Sequence, residues 1–361
     1  MTSQTVVSSF YFRLLLSRAL ATFLLATALI SCSTGGQDGP YNPVEIPAVT
    51  HNAEALQELH SFSFGSCNKQ YLPQPLWKKI LKDEPQLFVW TGDVVYADTE
   101  DMGKLSQIYA SQLRQPEYAN FLDSGIPIIG VWDDHDYGEN NGSETYAPKK
   151  ESQKLFLDFI GEPKNSLRRK QEGIYTSYSF GKASKSVRFI LLDTRSHRAN
   201  PKSGRPGDIL GAAQWSWLEA QLAHKSEGVT FLVSSIQALP FEQNFEKWQN
   251  FPESRQRLLA LLDQSPAKNL VILSGDRHFA ELSRLHSPAG KDIWEVTSSG
   301  LTHAFRNPDD KRNHNSLRVG PILDRLNYGL VDIDWKTKSM HLQVRDLNQT
   351  SIIDQSIPIL E

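Results

Sequence analysis

What most constrains this chain is a repeated pattern: short apolar runs, each ending on residues that can hold a metal ion. Residues 61–66 alternate polar and apolar, read as a strand, and are followed by Cys67. Residues 86–91 are a buried-strand run followed by Gly92-Asp93-Val94-Val95-Tyr96. Residues 127–132 lead into Asp133-Asp134-His135-Asp136, residues 187–192 into Asp193-Thr194-Arg195, and residues 270–274 into Gly275-Asp276-Arg277-His278. A further apolar run, 230–234, ends in serines. Helical spacing separates these runs, at 75–81, 102–113, 150–159, 212–222 and 255–262. Strands alternating with helices predict an α/β architecture, and in such folds ligands collect at the C-terminal ends of the strands.

Each candidate has a plain alternative. A lone Cys is usually a core thiol. Asp93 after a glycine suits a turn, and Tyr96 suits packing. Asp133-Asp134-His135-Asp136 is harder to explain that way, because crowded carboxylates repel one another unless a cation is present. Asp276 and His278, two apart on extended chain, are expected to point to the same side. Carboxylates with imidazole suit divalent or trivalent cations. A thiol and a phenol in the same site favour ferric iron over magnesium.

The N-terminus is a different kind of sequence. Arg13 and Arg18 precede an apolar run over 19–30, then Ser31-Cys32 and the polar stretch Ser33-Thr34-Gly35-Gly36. The run is shorter than the roughly 20 residues of a spanning helix, and a secretion signal fits better. The small residue before Cys32 resembles a bacterial lipobox, which implies a lipidated Cys32 as first mature residue. An ordinary cleaved signal and an uncleaved anchor are the alternatives. Only two cysteines occur, so a lipidated Cys32 leaves Cys67 unpaired outside the cytoplasm, where it is either buried or metal-bound. The expected organisation is a signal over 1–32, a Gly/Pro-rich tether over 33–60 and one domain over 61–361, ending in an alternating β-hairpin over 328–346. The formal net charge of -3 and the lack of a basic patch argue against a nucleic-acid-binding surface.

Taken in order, Phe64-Gly65-Ser66-Cys67-Asn68-Lys69-Gln70, Gly92-Asp93-Val94-Val95-Tyr96, Trp132-Asp133-Asp134-His135-Asp136, Leu192-Asp193-Thr194-Arg195 and Ser274-Gly275-Asp276-Arg277-His278 resemble the PhoD-like (alkaline phosphatase D) family of calcineurin-like metallophosphatases. The resemblance implies a β-sandwich of two mixed sheets flanked by helices. It also implies an exported hydrolase that cleaves phosphate monoesters or diesters by attack of a metal-activated hydroxide. Its ligands would be Cys67, Asp93, Tyr96, Asp134, Asp276 and His278, with Asp93 bridging. Cys67, Tyr96 and His278 would hold Fe3+, and Asp134 and Asp276 would favour Ca2+; zinc, manganese or cobalt are the alternatives. His135 is expected to stabilise the transition state or protonate the leaving group. Arg195 is expected to clamp a phosphate oxygen or, equally, to pair with a carboxylate. Arg277, His197 and His303 are weaker candidates. The partners expected are a phosphoester substrate and, through the lipid, the membrane of the cell envelope, with the enzyme facing the periplasm or exterior. A phospholipase or teichoic-acid-type phosphodiesterase and a non-catalytic calcium-binding lipoprotein are the competing readings.

Overall fold

Strand β1 (Ser61–Gly65) is an interior strand of the first of two sheets, its Phe62 ring packed 5.0 Å from that of Phe189 and 4.8 Å from that of Phe231 in the facing sheet. The computed structural model describes residues 42–47, 56–200, 207–225, 228–306 and 311–360. The signal segment and Cys32 lie outside the described residues. Within them, β2 (Phe88–Thr91) and β3 (Ile128–Val131) continue β1 in parallel. On its other side β1 pairs antiparallel with β10 (Asn327–Asp334), followed outward by β11 (Ser339–Asp346) and β12 (Ser351–Pro358). The second sheet has the order β4 (Thr176–Phe180), β5 (Val187–Leu191), β6 (Val229–Val233), β7 (Asn269–Ser274), β9 (Asp292–Ser298), β8 (Ala280–His286). Its four inner strands run parallel, with an antiparallel strand at each edge. Strands β2 and β6 are buried at every residue, which is why they read as continuous apolar runs rather than alternations.

Helices cover the outer faces: α1 (Leu76–Lys82), α2 (Met102–Leu113), α3 (Pro116–Asp123) and α5 (Lys149–Phe159) beside the first sheet, α6 (Gly211–Ala223) and α7 (Pro252–Gln264) beside the second. Asp101 caps α2 by accepting from the Lys104 N–H at 3.0 Å. This is the expected sandwich of two mixed sheets. The C-terminal hairpin is present as β10 and β11, but a third strand, β12, forms the sheet edge and β10 is interior. Its stretch (Ser-Ile-Ile-Asp-Gln-Ser-Ile-Pro) alternates too weakly to be read locally. The pair β8–β9 and the edge strand β4 also lacked a local signal. Packing reaches into the stretch assigned to the tether: Ile46 and Leu59 are buried in the core, and the Leu59 carbonyl accepts from Trp335 Nε1 at 3.1 Å. Among the described residues, no helix is long and apolar enough to cross a membrane.

Candidate metal centre

The C-terminal ends of β1, β2, β3, β5, β6, β7 and β9 meet along one edge of the sandwich, where the turns after them interlock. Cys67, Asp93, Asp276 and His278 all have positive φ (61°, 48°, 65° and 54°). That conformation is strained for residues with side chains and concentrates at functional sites. Gly92 (φ +104°) is required by space as well: a Cβ there would sit 2.7 Å from the Asp133 Cβ. The turn after β3 is the one-turn helix α4 (Asp134–Tyr137). Asp136 faces inward there, accepting from the N–H groups of Val94 (2.9 Å) and Asp133 (2.6 Å), and so ties the β2 and β3 turns together.

Three groups of donors result, and Asp93 belongs to all of them; the third adds His135 to Asp93 and Asp134. In the first, ligand atoms of Cys67, Asp93 and His278 lie within 4.8 Å of one another. The Tyr96 hydroxyl joins them, 2.9 Å from Asp93 Oδ2 and 3.0 Å from His278 Nε2. In the second, carboxylate oxygens of Asp93, Asp133, Asp134 and Asp276 lie within 4.8 Å of one another. All six ligands expected from the sequence are therefore brought together, with Asp133 added. The expectation that Asp276 and His278 share a side on extended chain fails, because both are left-handed and their side chains part into the first two groups.

The electrostatics fit a pair of cations. Burial, and then the neighbouring Cys67 and Asp134, push the Asp93 carboxyl well above its usual range. Burial and the charges of Asp133 and Glu246 do the same to Asp276. Burial pushes the Cys67 thiol up to about 11. Burial, with His303 and His135 nearby, pushes His278 down to about 3, so its ring is neutral, the form that binds metals. Buried Asp93 Oδ1, Asp133 Oδ2 and His278 Nδ1 have no hydrogen-bond partner in the protein. Such orphans are rare unless water or an ion completes them, and the crowding of anionic groups points to an ion.

His135 stands at the edge of this cluster, partly exposed and stacked on the Tyr96 ring at 4.1 Å. Asp98 contacts its Nδ1 at 2.8 Å. Burial opposes the charged ring, but that hydrogen bond and the charges of Asp134, Asp98 and Asp133 outweigh it and raise the pKa. Asp98, two residues beyond Tyr96, thus orients the imidazole.

Arg195 is not where a phosphate clamp would be. It is fully buried (0%), its Nε donates to Asp133 Oδ1 at 2.6 Å, and its two terminal nitrogens donate to Glu246 at 3.0 Å each. The carboxylate-pairing alternative is the one realised, and Arg195 positions Asp133. Ser235, after β6, donates to the same Asp133 oxygen at 2.6 Å. Asp193 is consumed locally, accepting from Trp132 Nε1 and the N–H groups of Ile174 and Arg195. Of the weaker candidates, Arg277 is buried against Asn313, and His197 lies 3.8 Å from Glu172.

A further strand end escaped notice. After β9, Ser299 Oγ lies 3.0 Å from Cys67 Sγ and accepts from the His278 N–H at 2.7 Å. Thr302 and His303 follow, with His303 Nε2 3.4 Å from the Tyr96 hydroxyl. No local pattern marks Ser299, whose role depends on two turns remote in sequence. Beside Asp134, whose Oδ2 accepts from the Asn141 N–H at 2.7 Å, a cavity of about 510 Å³ opens, lined by Asn140, Asn141, Arg198, Asn244, Phe245 and Glu246.

A family model described as PhoD-like phosphatase matches residues 62–344, which contain every one of these turns. The chain belongs to the PhoD-like phosphatase family. It is 22% identical over 278 residues to alkaline phosphatase D of Bacillus subtilis (strain 168), a match covering 63% of this chain and 47% of the relative. The chain thus spans about half the length of that curated relative. In three dimensions it resembles the structure of PhoD at a TM-score of 0.65 and 17% identity, covering 86% of this chain and 69% of the other. It also resembles a dimetal phosphatase from Danio rerio at a TM-score of 0.53 and 13% identity, covering 84% of this chain and all (100%) of the other. These two likenesses bear on the fold: the PhoD-like family is built on this two-sheet sandwich.

Proposed function

We propose that this PhoD-like protein is an exported phosphoester hydrolase with two unlike cations, Fe3+ in the Cys67–Tyr96–His278 group and Ca2+ among Asp133, Asp134 and Asp276, bridged by Asp93. The observation that carries the reading is the sharing of Asp93 between two chemically different donor sets. Thiol, phenol and imidazole suit ferric iron, and an all-carboxylate set suits calcium. Cations held there supply charge neutralisation and Lewis acidity to a phosphoryl group. The chain's own residues do the rest. Arg195 and Ser235 hold Asp133, Asp136 holds the Asp93 turn, and Asp98 holds His135 so that its Nε2 carries the proton given to the departing alcohol. Lipid attachment at Cys32, with the enzyme facing the periplasm or exterior, is supported by the run that precedes that cysteine.

The test is to purify the chain from residue 33 onward, measure its metals and visible absorption, and assay monoesters and diesters side by side. Stoichiometric iron and calcium, a tyrosinate–iron colour lost in Tyr96→Phe, and at least a thousandfold loss of turnover in Asp93→Ala are expected. Full activity in Asp93→Ala would refute the assignment.

A further inference from the structure

We propose that Lys69 is the anion clamp of this centre, gripping a non-bridging oxygen of the substrate phosphate. The inference rests on the phosphoester reading above and fills the role that Arg195 leaves open. A phosphate entering an acid-rich centre is best held by donors on the open side, already in place. The two arginines from the motifs are unavailable. Arg195 is turned onto Asp133 and Glu246, and Arg277 is buried between the Phe245 and Phe279 rings with a terminal nitrogen on Asn313.

Lys69 is differently placed. It is partly exposed, and its Nζ lies 5.1 Å from the centroid of the Tyr96 ring. Among the described residues, no carboxylate lies within ion-pair distance of it. Its backbone is nevertheless firmly held. The Lys69 N–H donates to Thr302 Oγ1 at 2.8 Å, the neighbouring Asn68 N–H donates to the Asp93 carbonyl at 2.9 Å, and the Asn68 side chain donates to the Val94 carbonyl at 3.0 Å. The ammonium thus stands on a rigid base, tied to both the bridging carboxylate's turn and the turn after β9.

That same turn presents His303. Thr302 Oγ1 also donates to the Cys67 carbonyl at 3.2 Å and contacts His303 Nδ1 at 3.3 Å, which sets the ring's orientation. The ring lies 4.3 Å from that of His278 and 5.3 Å, edge-on, from that of Tyr96. One hydroxyl, Thr302 Oγ1, therefore couples the Lys69 backbone, the His303 ring and the Cys67 turn. With the Thr302 hydroxyl hydrogen on the Cys67 carbonyl, His303 Nδ1 donates to that hydroxyl and Nε2 is left a lone pair, so the donor this turn leaves for a phosphate oxygen is the Lys69 ammonium, a point charge with no carboxylate partner.

The experiment uses the metal-loaded protein. Inorganic phosphate is titrated into it calorimetrically, and p-nitrophenyl phosphate turnover is measured in parallel, for wild type, Lys69→Met and Lys69→Arg. Losing a charge-assisted hydrogen bond predicts phosphate affinity lower and KM higher by about 10- to 100-fold in Lys69→Met. Metal content, visible spectrum and melting temperature should stay unchanged. Lys69→Arg should restore most of the affinity. Wild-type phosphate affinity and KM in Lys69→Met would overturn the clamp and leave Lys69 as packing on the Tyr96 ring. A wild-type protein that binds phosphate but hydrolyses no ester would sink the hydrolase reading alone, with the phosphate titration still deciding the clamp.

Discussion

Replacing Arg195 by Met separates the two roles that a strand-end arginine can have in such a site. The guanidinium is fully buried (0%), and the side chains of its two partners, Asp133 and Glu246, are 1% and 7% exposed. Methionine fills a similar volume but leaves the buried Asp133, beside Asp134 and Asp276, without its cation, and Glu246 paired with Arg198 alone. Removing one partner of a buried ion pair costs about 3–5 kcal/mol, because a charge is stranded in low dielectric. With an unfolding entropy of about 2.1 cal/mol/K per residue and roughly 300 folded residues, the midpoint moves by about 1.6 °C per kcal/mol, so a loss of ~5–8 °C is expected. The loss should be largest in chelator and smaller with metals present, because bound cations neutralise the same carboxylates that Arg195 serves. Thermal unfolding of wild type and Arg195→Met, with and without chelator, gives all four values. A variant that keeps its melting temperature and metal content in both conditions, while its KM for phosphoesters rises, would refute the positioning role and restore Arg195 as a clamp.

Two further outcomes follow from the geometry. Gly92→Ala puts a methyl group 2.7 Å from the Asp133 Cβ at a φ of +104°; a loss of at least about 1–3 kcal/mol in denaturant unfolding is expected, with weaker metal binding because the Asp93 turn must shift. Glu162 offers a pH test away from the centre: burial would raise its pKa, but Arg168, with hydrogen bonds from Ser166, Arg168 and Tyr178, outweighs burial and holds it below its usual value. A lowered folded-state pKa means that its stabilisation is present above the unfolded value of about 4.3 and is lost as pH falls through the folded value; urea midpoints measured from pH 7 down to pH 3 should fall less steeply in Glu162→Gln than in wild type.

The sequence by itself determined the α/β layering and most of the candidate metal centre, because those signals are local. A short apolar run rich in β-branched and aromatic residues and followed by turn residues reads as a buried strand, and a ligand immediately after it lies at that strand's end. Cys67, Asp93, Tyr96, Asp134, Asp276 and His278 were legible for this reason. Tertiary structure decided how those ends divide the work. Left-handed backbone at residues 276 and 278 sends the two side chains into different donor groups, and a two-residue spacing carries no sign of it. Arg195 turns inward because Glu246, 51 residues away, completes its pairing. Ser299 and His303 become part of the centre only because β9 pairs beside β7 and brings its end to theirs. Local patterns fix which groups reach the edge of the sheet, and long-range pairing fixes which of them remain free for a ligand.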